Sequence, residues 1–188
     1  MKRIAIFVSG GGTNLQRIAE YFAPNNNVEI VCVVSNNREA YANQRAKNLG
    51  IPLLLVEKAY FNSDLLIDRM KNLGVDLIVL AGFLWLIPQG LIEAFPNKII
   101  NIHPALLPKY GGKGFYGHHV HEAVVAAHEK ESGITIHYVN EHYDSGNIIF
   151  QAKVAISRND TPDDVADKIH VLEQMNFPVV IENLLFEN

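Results

Sequence analysis

Residues 4–22 read Ile4-Ala5-Ile6-Phe7-Val8-Ser9-Gly10-Gly11-Gly12-Thr13-Asn14-Leu15-Gln16-Arg17-Ile18-Ala19-Glu20-Tyr21-Phe22. A short unbroken apolar run ending in glycines suits a parallel strand buried on both faces. Past the glycines, Leu15, Ile18, Ala19 and Phe22 fall at i, i+3, i+4 and i+7, one face of a helix. Pro24 and the asparagines Asn25 to Asn27 should stop that helix. A buried strand, a tight turn and an amphipathic helix open a βαβ unit, so the sheet should be parallel.

The pattern repeats downstream. Further strands are expected at 28–34, 52–56 and 76–80, with helices at 39–49, closed by Gly50, and 64–73, capped by Gly74. The second half is less regular. It should contain a strand at 98–102, a helix at 117–130 and strands at 134–139 and 148–156. Asp144-Ser145-Gly146-Asn147 would turn the last two into an antiparallel hairpin. Thr161 as N-cap and Pro162 in the first turn announce a final helix. The expected class is α/β, with a mostly parallel sheet. One domain spans 1–188, with residues 1–100 supplying the glycine loop and 101–188 the polar clusters below.

Composition narrows the function. At 188 residues with 48% hydrophobic and 19% charged residues, the chain can bury a core without a disulfide or metal staple. Its net charge of −4 and the lack of a basic block argue against a nucleic-acid backbone binder. A single cysteine, Cys32, fits a reducing compartment. The longest apolar run, Leu77 to Ile87, is about half of what a spanning helix needs. Lys2 and Arg3 precede too short an apolar run for a signal peptide. The expectation is a cytoplasmic protein without membrane or nucleic-acid partners.

Ser9-Gly10-Gly11-Gly12-Thr13-Asn14 joins a buried strand to a helix. Glycines let the backbone approach a ligand, and the free N–H groups at the helix start favour an anion. No Gly-Lys-Ser/Thr ending makes this a P-loop, and Leu15 occupies the third glycine position of a dinucleotide fingerprint. A monophosphate site and a plain tight turn capped by Thr13 or Asn14 are the two readings.

Asn101-Ile102-His103-Pro104 closes a strand, and alternation puts Asn101 and His103 on one face. Strand carboxyl ends border the ligand crevice of open α/β sheets. An imidazole beside a carboxamide can move a proton and hydrogen-bond an oxyanion. A second cluster runs from His137 to Gly146. In it Asp144 either orients His103 and favours its charged form or only makes the Asp-Ser-Gly turn. His118, His119 and His121, followed by His128, suggest a metal, but their spacing spreads the rings around a helix. A solvated helix start is the preferred reading.

Together these residues resemble the folate-dependent formyltransferases, and among them the phosphoribosylglycinamide formyltransferase family. The matching stretches are Ser9 to Leu15, Leu80 to Leu84, Asn101-Ile102-His103-Pro104-Ala105-Leu106-Leu107-Pro108, Gly133 to Gly146 and Glu173 to Pro178. The resemblance implies a Rossmann-like mixed sheet with helices on both faces, 10-formyltetrahydrofolate as formyl-donor co-substrate, and no metal. It implies that Gly12, Thr13 and Asn14 hold a ribonucleotide phosphate and that Glu173 contacts its ribose or glycinamide part. Leu84, Trp85, Leu86 and Ile87, with Asn140, Glu141, His142, Tyr143 and Asn101, would line the pterin pocket, and Lys58 would reach the folate tail. Asn101, His103 and Asp144 would be the catalytic set. Trp85 stands where an arginine is common in the family, and the glycine-rich segment Gly111 to Gly117 is longer by a few residues.

The implied reaction passes a formyl group from the folate to the amine of phosphoribosylglycinamide in purine synthesis, with small molecules as the only partners. A monomer would suffice and a homodimer would be compatible. Formyltetrahydrofolate deformylase and methionyl-tRNA formyltransferase share the chemistry. They are disfavoured here by the position of the first strand, the chain end at Asn188 and the acidic balance. A non-catalytic nucleotide-binding module would have no use for Asn101, His103 and Asp144 together.

Overall fold

A computed structural model describes residues 1–24 and 27–186. Asn25 and Asn26, two of the expected helix stops, lie outside the described residues. Strands β1 (Lys2–Val8), β2 (Val28–Ser35), β3 (Leu53–Leu55), β4 (Leu77–Leu80), β5 (Ile99–His103), β6 (Glu131–Tyr138) and β7 (Ile148–Ala155) form one sheet of order β3-β2-β1-β4-β5-β6-β7. The first five run parallel. β6 is antiparallel to β5, and β7 to β6. The mostly parallel sheet with a C-terminal hairpin is therefore the one the patterning anticipates.

Helices α1 (Thr13–Phe22), α2 (Tyr41–Asn48), α3 (Lys58–Phe61), α4 (Asp64–Asn72), α5 (Gln89–Ala94), α6 (His118–Ala126) and α7 (Pro162–Phe186) cover both faces. Ile4 to Val8 are wholly buried, as a central strand requires. Ile4, Ile6 and Val8 pack against Leu15, Ile18 and Phe22 of α1 and against Ile169 and Phe177 of α7. Ala5 and Phe7 face the other way, toward Leu66 and Met70 of α4 and Leu91 of α5. Successive strand residues point to opposite faces, so one apolar run supplies both cores.

The boundaries depart from expectation where turns intervene. α2 begins at Tyr41 rather than at 39. α6 ends at Ala126 because His128 takes a left-handed φ of 51°, so the helix expected to 130 stops early. β6 starts at Glu131, since Gly133 already pairs with Lys153. The short helices α3 and α5 carry too few turns to show a period and escape the sequence reading. Thr161 is the N-cap of α7 as expected: its hydroxyl accepts from Asp164 N at 3.2 Å, and the Asp164 carboxylate accepts from Thr161 N at 2.8 Å. α7 then runs unbroken through Pro178.

Chain order reverses between β1, which leads outward to β2 and β3, and β4, which returns to its other side. Ligands bind at such a switch point, outside the strand carboxyl ends. The ends of β1, β4 and β5 deliver Gly10 to Asn14, Ala81 to Leu84 and Asn101 to Pro104 to one cavity of about 500 Å³.

Candidate active site

The glycine loop forms one wall of that cavity. Its carbonyls are all engaged elsewhere. Ser9 O accepts from Asn37 Nδ2 at 3.1 Å, Gly10 O from Ala42 N at 3.0 Å, Gly11 O from Arg45 Nε at 2.9 Å and Gly12 O from Gln16 N at 3.0 Å. The amides of Gly10 to Asn14 make no hydrogen bond to the described residues. They are the unsatisfied donors of a helix start, and the α1 dipole adds to their attraction for an anion. Gly12 is left-handed, with φ of 75°, and caps α1 without a side chain, so the alternative of a Thr13 or Asn14 side-chain cap does not form. Asn14 instead donates to Glu173 of α7 at 3.0 Å, which joins two of the expected substrate residues. Burial pushes the Glu173 carboxyl up, against that hydrogen bond. Thr13 is exposed at the cavity rim.

Asp144 organises the opposite wall. One carboxylate oxygen lies 3.5 Å from His103 Nδ1 and accepts from Gly112 N at 3.0 Å. The other accepts from Asn101 Nδ2 at 3.4 Å and lies 3.6 Å from His137 Nε2. Asn101 and His137 are register partners across β5 and β6, and Asn101 Nδ2 also reaches His137 Nε2 at 3.2 Å. His137 Nδ1 is 2.9 Å from the Tyr138 carbonyl, and Nε2 faces Asn101 and Asp144. The Asp144 side chain thus reaches beyond its own turn. The loop is shaped by Asn140, whose Oδ1 accepts from His142 N at 3.0 Å and Ser145 Oγ at 2.9 Å. Asp144 itself sits at a left-handed φ of 51°.

His103 is buried, with an acceptor on each ring nitrogen: Asp144 on Nδ1, and the Tyr110 carbonyl 2.7 Å from Nε2. Burial pushes its pKa down, further than Asp144 and the Tyr110 carbonyl raise it. Asp144 favours the charged ring, as expected, but burial outweighs it. Burial pushes the Asp144 carboxyl up, but His137, the His103 ring and the Gly112 amide outweigh it and hold it below the usual range. The resting state is therefore a neutral imidazole beside an ionised carboxylate.

The expected pterin residues gather around a smaller cleft of about 60 Å³. Trp85, Leu86 and Ile87 line it with Asn140, His142 and Tyr143, and it shares Phe83, Asn101, Tyr143 and Asp144 with the large cavity. Leu84 lines the large cavity instead, and its N–H is fixed by Ser9 Oγ at 2.9 Å. Glu141 does not line the cleft and is exposed. Lys58 lies outside it too. Its Nζ sits 4.5 Å from the centre of the Trp85 ring, in a separate hollow bounded by Ser35 to Arg38.

Two residues facing these spaces have no role in the sequence reading. His137 completes the Asp144 cluster, and only strand register places it opposite Asn101. His170 lines the large cavity from α7. His121 lines it from α6 and is buried, which corrects the reading of all three histidines as a solvated helix start; His118 and His119 are exposed. Cys32 is buried in β2, and burial pushes its thiol up to about 11, so it is no nucleophile.

A loop of unpaired amides, a buried histidine and a carboxylate–carboxamide pair meet at an α/β switch point, an arrangement able to stabilise an oxyanion. Residues 2–181 match the model of the formyl transferase family, and the chain belongs to that family. Among its relatives, the chloroplastic phosphoribosylglycinamide formyltransferase of Arabidopsis thaliana is 43% identical over 89% of this chain. The chain spans only 60% of that relative's length. The phosphoribosylglycinamide formyltransferase of Haemophilus influenzae is 38% identical over 97% of this chain and 86% of its own length. The solved glycinamide ribonucleotide transformylase 1 of Symbiobacterium toebii superposes with a TM-score of 0.89 at 33% identity, covering 98% of this chain and 88% of that one. Among the described residues, no helix is long and apolar enough to cross a membrane.

Proposed function

We propose that the protein transfers the formyl group of 10-formyltetrahydrofolate to the primary amine of phosphoribosylglycinamide, a step of purine biosynthesis. One observation carries the reading: Asp144 ties Asn101, His103 and His137 together at the edge of the cavity whose other wall is the Gly10–Asn14 loop. The phosphate lies on the loop amides near Asn14 and Glu173. The pterin enters the cleft between Trp85–Ile87 and Asn140–Tyr143, with the formyl carbon between the two spaces. Lys58 takes the folate tail.

The amine attacks the formyl carbon, a C–N bond forms, and the carbonyl oxygen becomes an oxyanion. His103 donates to it, and so does Asn101 by turning one N–H from its long 3.4 Å contact with Asp144, a contribution of about 3 kcal/mol for one such donor. The oxyanion replaces the Tyr110 carbonyl at His103 Nε2. With Asp144 at Nδ1, the ring is then flanked by two negative groups, and the imidazolium disfavoured at rest becomes favourable. The amine's proton passes to this ring and onward to N10 as the N10–formyl bond breaks. No metal takes part in this scheme.

The first hundred residues supply the phosphate loop, and the rest supply the Asn101, His103 and Asp144 set. The chain is self-sufficient as a monomer and compatible with a homodimer. We read it as cytoplasmic, supported by its lone buried cysteine. The test is a formyl-transfer assay with glycinamide ribonucleotide, followed by absorbance of the folate product. Release of formate without transfer would instead establish the deformylase reading.

A further inference from the structure

The cavity is poor in fixed positive charge for a phosphate site. Of its lining residues, Lys113 alone is a permanent cation, and its carboxyls are Asp144 and Glu173. Arg45, behind the glycine loop, spends its guanidinium on Gly11 O and the Gln16 side chain. The amides of the α1 start can grip a phosphate, and the start of α6 also borders the cavity at Gly117. A phosphomonoester dianion enclosed there still needs a neutralising charge.

His121, in the first turn of α6, lines this cavity and is only 5% exposed. Neither ring nitrogen is hydrogen-bonded among the described residues, and Nδ1 is enclosed without a partner. A buried polar atom left unpaired in a folded protein calls for a reason. Burial, with the neighbouring rings of His170, His118 and His103, pushes the His121 pKa down to about 4. The His118 ring lies 6.2 Å away on the same helix. The positive end of the α6 dipole also disfavours a cation there. The other charged groups near this end of α6 are Glu122 and Asp163, which engage His118, with Glu173 on α7 and Lys113 on the preceding segment. The free enzyme therefore holds an uncharged, unpartnered imidazole inside an anion site.

We propose that His121 is a further substrate-binding residue, taking up a proton when the ribonucleotide enters and donating a ring N–H to its phosphate. The inference rests on the proposed function only in taking a phosphomonoester as the cavity's guest. A dianion reverses the sign of the local field and meets the unpaired nitrogen's need for a partner. The charge appears only with the ligand, so His121 is no buried cation at rest.

The experiment is calorimetric titration of the intact enzyme with glycinamide ribonucleotide at pH 7, in buffers of different ionisation enthalpy. The parent should take up about 0.9 proton if His121 becomes fully charged, because a phosphomonoester with a second pKa near 6 gives up only about 0.1 proton at that pH. A site that merely selects the dianion would release protons instead. His121→Gln should abolish the uptake and raise the ribonucleotide KM about 10- to 100-fold, the span of one hydrogen bond to a charged group, with the folate KM unchanged. In the parent, ¹⁵N-histidine NMR should show the His121 ring passing from neutral to imidazolium on saturation, a readout that does not depend on the variant folding. No uptake by the parent, uptake retained in His121→Gln, uptake lost only in His170→Asn, or no imidazolium signal would each overturn the proposal while leaving formyl transfer intact. A parent that binds folate but no ribonucleotide would overturn both readings.

Discussion

Asn14 Nδ2 donates to Glu173 Oε2 at 3.0 Å across 159 residues of sequence, in a buried contact between the first and last helices. It clamps the glycine loop to α7 and holds the Glu173 carboxyl in the cavity lining. Burial raises that carboxyl's pKa above its unfolded value of 4.5. A raised carboxyl stabilises the fold most below the unfolded pKa, and its contribution is lost as pH rises through the folded pKa. Glu173→Gln removes this dependence. Denaturant midpoints measured from pH 4 to 8 should fall less steeply with pH in the variant than in the parent. The ribonucleotide KM should rise at the same time.

Gly12→Val should damage both folding and phosphate binding. A Cβ at Gly12 would lie 2.7 Å from Ala42 Cβ, and the φ of 75° suits glycine. The strain should cost ~1–3 kcal/mol or more, read by chemical denaturation. The ribonucleotide KM should rise at least tenfold while folate-analogue binding stays near that of the parent. Equal ribonucleotide KM values would remove the loop from the substrate site.

Both of these predictions use one element that the sequence discloses and one that it hides. β1, the glycine loop and α1 are legible because their signals are local: an apolar run, a glycine cluster and a four-residue period. Asn101 and His103 are legible because two residues apart on a strand share a face. The Asn14–Glu173 clamp is not, because it joins two helices through tertiary packing. His137 is hidden for the same kind of reason, since only the β5–β6 register sets it opposite Asn101. The effect of Asp144 on His103 is legible from charge, but the larger opposing effect of burial is not, because no motif reports it.

Trp85 offers a direct test of the pterin cleft, because it is the one tryptophan. Its ring packs edge-on against Phe61 at 5.2 Å and lies under Lys58. Saturation with a folate analogue should change its emission after correction for analogue absorbance. Lys58→Ala should alter the emission of the free enzyme by removing the cation from the ring face. Unchanged emission on analogue binding would move the pterin away from Trp85.

His103 and Asp144 should behave as one unit in catalysis. Their side chains are 3.5 Å apart, and Asp144 alone spans Asn101, His103, His137 and the Gly112 amide. Asp144→Asn keeps the shape and removes the charge. The carboxylate raises the pKa of His103 against the larger effect of burial, so in the variant the ring should titrate at still lower pH, as histidine NMR would show. That variant would find it harder to form the imidazolium when the oxyanion appears, and kcat should fall by about 10²–10⁴. His103→Ala should cost a similar factor, because the same ion pair is lost from its other side. Once either partner is gone, removing the second has little left to take away, and the double variant should be barely worse than the poorer single one. If Asp144 merely shaped the loop, its loss would displace the pterin residues independently of His103 and the two factors would multiply. A double-mutant cycle on kcat/KM separates the cases, and full additivity of the logarithms would break the pair apart.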